Sequence, residues 1–131
     1  MDRGRRPRRL FLSQAVLDTR LKILTLEQAR ERLNGQSARW ISGNFDPLLA
    51  EHVRRLAGER EPGEALVVEV TNPSRPLLAQ RARAELVAAL AMVDYVVLSN
   101  GETGAGTPAD GDITERFIEH VLQRHAQEST R

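Results

Sequence analysis

The chain has 131 residues, no cysteine and a formal net charge of +1. That length fits one domain with a core of its own, and the missing thiols exclude a disulfide framework, a thiolate metal site and a cysteine nucleophile. No apolar run approaches the roughly 20 residues that span a bilayer, and the basic start "MDRGRRPRRLFLSQAVL" lacks the apolar segment of a secretory signal; a cytoplasmic protein without membrane contact is expected.

Residues 1–9, five of them Arg, read as a solvated, disordered tail, and 10–131 as a single domain. Leu10–Leu12 is a short apolar segment, either a strand or a docking element. Thr25 and Gln28 form a capping-box pair, Leu26, Ala29 and Leu33 share a face, and Gly35 is a natural stop. "ARWISGNFD" is a buried strand meeting a turn at Gly43. Asp46 is expected to cap the next helix, with Pro47 in its first turn. That helix carries Leu49, His52, Val53 and Leu56 as one stripe.

"ALVVEV" is a continuous apolar strand and "TNPSRP" a turn. The long helix that follows aligns Leu78, Ala82, Leu86, Ala89 and Val93. "DYVVL" is a third strand, "SNGETGAGTPADGD" a flexible loop, and the last helix turns Ile113, Phe117 and Val121 inward with Leu122 beside them. Alternation of strand and helix predicts an α/β, three-layer, Rossmann-like fold. Near-continuous apolar strands, near 38–43, 65–71 and 94–98, imply a parallel sheet covered on both faces. Ligands of such sheets bind beyond the carboxyl ends of the strands, which places 43–47, 71–75 and 99–108 along one rim.

At Gly43 the sequence resembles the cytidylyltransferase-like nucleotidyltransferases, in which a strand is followed by G-x-F-D-x-x-H-x-G-H. Gly43, Phe45, Asp46 and His52 match in register, while Leu49 stands at the first histidine and Glu51 at the glycine. "SRPLLAQRARAELVAALAMVDYVV" and the lead-in "KILTLEQARERL" resemble the nucleotidyltransferase domain of ADP-heptose synthase, so the resemblance spans about 22–98. It implies a site that joins a nucleoside triphosphate, CTP or ATP, to a sugar or alcohol phosphate and releases pyrophosphate, with Mg2+ only if catalysis survives. Two histidines would hold phosphate at a helix N-terminus. Here only His52 can inherit that role, and Gly43, Asn44, Phe45, Asp46 and Arg75 are the candidate nucleotide- or phosphate-binding residues. The family's basic segment after its second strand, its later strand with a lysine–glycine motif, and the phosphate motif beyond it have no counterpart in this sequence, and Lys22, the only lysine, lies too early to replace them. A shortened distal half is therefore expected.

Each site residue also has a plainer reading. His52 fits a half-buried structural histidine, Asp46 an N-cap, and Arg75 a solvent-facing arginine. Arg83 matches a family arginine and reads as structural. "GETGAGT" lacks the Gly-Lys-Ser/Thr ending of a phosphate loop, and His120 and His125 do not share a helix face, so no metal site is expected. Three functions compete: an impaired nucleotidyltransferase-like protein that binds at most a nucleotide or phosphorylated small molecule; an active transferase; and, least supported, a nucleic-acid-associated protein using its Arg-rich tail. The outer edge of the Gly43 strand is expected to stand open, to be covered by Leu10–Leu12, by the last helix, or by a second chain, as in a homodimer or with a partner protein.

Overall fold

The computed structural model describes residues 17–101, 104, 106–109 and 113–129; the Arg-rich start and Leu10–Leu12 lie outside the described residues. The strands are β1 (Ile23–Leu24), β2 (Ala38–Gly43), β3 (Ala65–Val70), β4 (Tyr95–Leu98) and β5 (Thr107–Pro108). They form one five-stranded sheet in the order β1-β4-β3-β2-β5, and every pairing is parallel. The helices are α1 (Leu26–Leu33), α2 (Ala50–Glu59), α3 (Gln80–Ala88) and α4 (Ile113–Ser129).

Side chains alternate across each strand, so the sheet has two distinct faces. Ile41, Leu66, Val68, Val70 and Val96 pack with Leu56 of α2 and with Ala84, Val87 and Ala88 of α3. On the other face Ala65, Val67 and Val97 pack with Ala29 and Leu33 of α1, flanked by Trp40 and Tyr95. Helix α1 starts at the expected capping box, in which the Gln28 amide N–H donates to Thr25 Oγ1 and the Thr25 amide N–H to Gln28 Oε1. It ends on Asn34 and Gly35, both at positive φ.

Three expectations change. The inward face of α3 is Arg83, Ala84, Val87 and Ala88, whereas Leu78 and Leu86 are 37% and 46% exposed. The pattern reading placed the stripe one position away because it does not accept an arginine as a core residue, and Arg83 is fully buried. Among the described side chains of α4 only Ile113 is buried; Phe117, Val121 and Leu122 are exposed, and an Arg116–Glu51 ion pair links this helix to α2.

The loop after β4 is the third change, since it supplies a fifth strand. Thr107 and Pro108 pair with Ile41 and Ser42 of β2, and the Ala109 amide N–H donates to Ser42 O at 2.8 Å. Glycine makes that approach feasible. A Cβ on Gly106 would lie 2.8 Å from the Trp40 carbonyl, and one on Gly104 would strike Glu69 Oε1 and lie 2.7 Å from Ser42 Cβ. Part of the edge expected to be open is thereby closed by the chain itself.

Gly106→Ala is expected to lower stability by about 1–3 kcal/mol and to speed amide exchange at Ala109, read by hydrogen-exchange NMR and urea unfolding. Gly58→Ala, in helix α2 with nothing within 4 Å of the added Cβ, should instead gain about 0.4–1 kcal/mol.

Candidate functional site

Strand β2 delivers its last residue, Gly43, to the carboxyl edge of the sheet, where β3 lies on one side and β5 on the other. Connections diverge from β2 at this point, which is where ligands of open parallel sheets bind. The turn that follows is tightly held. Phe45 sits at φ 50°, an uncommon backbone region for a bulky residue, and its ring is fully buried. That ring meets the His52 imidazole edge to face at 5.3 Å between centroids. The Asp46–Pro47 peptide is cis.

Asp46 does not cap α2. Its carboxylate, 4% exposed, accepts the amide N–H groups of Leu77 at 2.6 Å and Leu78 at 2.9 Å. It therefore fastens the β2 turn to the segment that leads into α3. The N-cap of α2 is Leu49, and Pro47 lies before the helix. A leucine side chain has no acceptor, so the cap is made from within: the Leu49 amide N–H donates to His52 Nδ1 at 2.9 Å. His52 is fully buried. Because Nδ1 accepts a hydrogen bond, the neutral ring carries its proton on Nε2, the one ring atom from which it can donate.

Arg83 meets this turn from below. Its Nη1 donates to Asn44 O at 2.8 Å and Thr71 O at 2.6 Å, Nε to Leu78 O at 3.0 Å, and Nη2 to Asn72 Oδ1 at 2.8 Å. One planar guanidinium thus joins the turn after β2, the exit of β3 and the approach to α3. Thr71 Oγ1 donates to Asn44 Oδ1 at 2.5 Å. Gln80 Nε2 bridges Val70 O and Ser99 O at 3.0 and 2.5 Å, which ties in β4.

The structure brings Gly43, Asn44, Phe45, Asp46 and His52 together. Arg75 stands exposed in the loop before α3, in no ion pair among the described residues. Glu51 accepts from Arg116 Nη2 at 2.8 Å and lies 3.7 Å from Arg55, so its carboxylate is held toward α4. Lys22 lies at the opposite end of the sheet, where it donates to Leu90 O at 3.0 Å and burial lowers its pKa below the usual lysine value. Among the described residues no cluster of acids and histidines could hold a metal, and no helix is long and apolar enough to cross a membrane. Sequence reasoning missed Gln80 and Thr71, whose roles depend on neighbours distant in the chain. Arg83 had one signal, its match to a family arginine, which read as structural.

No family model matches the chain. Curated relatives do. The bifunctional protein HldE of Syntrophotalea carbinolica is 35% identical over 82 residues, 56% of this chain and 17% of that protein. HldE of Helicobacter pylori strain 26695 is 33% identical over 94 residues, 65% of this chain and 20% of its own length. HldE of Magnetococcus marinus is 32% identical over 107 residues, 71% and 22% respectively. The chain spans about a fifth of the length of the curated relatives it matches.

Arg83→Met should cost about 3–5 kcal/mol, because it leaves four acceptors, one buried and three part-buried, without their donor; Arg83→Lys should recover less than half of the loss, since an ammonium cannot reach all four. Chemical denaturation of the three proteins measures this. The parallel α/β sheet, the G-x-F-D turn at its carboxyl edge and the similarity to HldE together identify the chain as a nucleotidyltransferase-like domain related to the cytidylyltransferase-like domain of HldE.

Proposed function

We propose that this domain binds a nucleotide or phosphorylated small molecule at most, and that it transfers no nucleotidyl group at an enzymatic rate. The observation that carries this reading is the state of His52. Its ring is buried and its Nδ1 is occupied by the Leu49 amide, so it serves as the internal cap of α2. The position that would supply a second donor is Leu49, which has none. A missing aimed donor in a charge-stabilising site costs roughly 10²–10³ in rate. Glu51 stands in the first turn of the same helix where the family pattern has glycine, with its carboxylate held toward α4 by Arg116 and Arg55.

The relatives named bifunctional protein HldE support a nucleotide and a phosphorylated sugar as the ligand classes to try first. Purified protein incubated with CTP or ATP, Mg2+ and a panel of sugar and alcohol phosphates should release no pyrophosphate above the protein-free background. Turnover that vanishes in His52→Ala would overturn the proposal and favour an active transferase. Leu49→His combined with Glu51→Gly should raise nucleotide affinity in calorimetry without bringing turnover to ordinary enzyme rates.

A further inference from the structure

Of the 19 lysines and arginines in the chain, Lys22 alone is a lysine. The two cations are not interchangeable. A guanidinium keeps its proton throughout the range a folded protein meets, whereas an ammonium gives its proton up more readily once it is desolvated. The one amine side chain stands in a desolvated position.

Lys22 closes a single 3-10 turn, Thr19–Lys22, that leads into β1 at the amino edge of the sheet. Its side chain is half-buried. Nζ donates to Leu90 O at 3.0 Å, in the connection after α3. No carboxylate lies within ion-pair distance of it among the described residues. Two charged groups stand nearby. Asp94 Oδ2 accepts the Leu66 amide N–H at 2.8 Å and Arg60 Nη1 at 3.1 Å, and Arg60 Nη1 also donates to Met92 O at 2.6 Å. Desolvation lowers the Lys22 pKa, Asp94 opposes that shift and Arg60 adds to it. Arg20, on the same turn, is paired with Asp18 and feels the charge of Glu85 of α3. Lys22 is thus an amine fixed by one main-chain carbonyl, with an enlarged share of its neutral, nucleophilic form. Arg60, 40% exposed, makes its contacts among the described residues through Nη1, which leaves the N–H groups of Nε and Nη2 for an anion.

We propose that Lys22 is an acyl-acceptor site, modified by small acyl phosphates whose phosphate group is held by Arg60. The neutral Nζ attacks the acyl carbon. A C–N bond forms, and the C–O bond to phosphate breaks with its electron pair leaving on inorganic phosphate. The proton shed by nitrogen goes to the departing phosphate or to water. The product amide is neutral, so the half-buried charge disappears, and its remaining N–H still donates to Leu90 O. The modification therefore keeps the contact that Lys22 makes in the fold. An acyl thioester carries no phosphate on its acyl carbon, so Arg60 favours the phosphate donor. The site lies at the edge of the sheet opposite the phosphate turn, and neither its chemistry nor its test depends on nucleotide binding there.

The chain has one side-chain amine, and peptide mass mapping separates it from the N-terminal amine. The full chain and a blocked synthetic peptide of residues 17–27 are incubated in one solution with acetyl phosphate. Lys22 of the folded chain should be acetylated about threefold or more faster than the lysine of the peptide, because burial enriches the neutral amine. Its rate should rise with pH to a midpoint below that of the peptide. Arg60→Met should slow the reaction with acetyl phosphate more than the reaction with the N-hydroxysuccinimide ester of acetic acid, which has no phosphate. Comparing the two donors separates the hold of Arg60 on phosphate from its effect on the amine. The proposal is overturned if Lys22 reacts no faster than the peptide, or if Arg60→Met slows both donors alike. The comparison with the peptide uses the unaltered chain, so it decides even if Arg60→Met fails to fold.

Discussion

The buried guanidinium of Arg83 is the constraint on which the carboxyl edge of this sheet depends. Taking an ion out of water costs several kcal/mol even after relaxation, so a fully buried arginine persists only where its N–H groups are matched. Here Nε, Nη1 and Nη2 meet four acceptors from three separate segments, at 2.6–3.0 Å. Asp46 works in the reverse sense, as a buried carboxylate receiving two main-chain N–H groups from the segment before α3. The two charges share no ion pair among the described residues, yet they clamp the same two stretches of chain. The rim is rigid because polar groups, and not only apolar packing, hold its turns in place.

That clamp gives the residues of the motif duties within the chain itself. Each polar residue of the G-x-F-D turn has a task inside the chain: Asn44 with Thr71 and Arg83, Asp46 with Leu77 and Leu78, His52 with Leu49. Removing any of them leaves a partly buried partner without its hydrogen bond, which costs about 0.5–1.5 kcal/mol per bond. Stability alone therefore accounts for these side chains, whether or not a phosphate ever meets them. Leu49 and Glu51 have no comparable buried polar duty.

Much of this architecture was legible. The apolar runs at 38–43, 65–70 and 95–98 form parallel strands within one or two residues of expectation, because continuous apolar strands are what a doubly covered sheet demands. The capping box at Thr25 formed because its two hydrogen bonds are local. What escaped was everything set by distant partners. β5 has only two residues, and its pairing rests on the absence of side chains at Gly104 and Gly106, not on any apolar signal. The face of α3 was displaced because hydrophobic periodicity assigns an arginine to solvent. Asp46 precedes a helix and looks like its cap, but Pro47 to Leu49 lie between it and Ala50, and its carboxylate turns to another segment.

The two faces of the sheet then carry different kinds of departure from pattern. On the α2 and α3 face the unexpected polar groups, Arg83, Asp46 and His52, are 0–4% exposed and matched by neighbours within the chain; their presence is explained by the fold they hold. On the α1 face Glu69 is only half-buried, beside open space, with an indole and a guanidinium on the same walls. Glu69 also has a polar interaction within the chain, so its break in the apolar pattern, like that of Arg83, reflects neighbours that the strand sequence alone does not reveal.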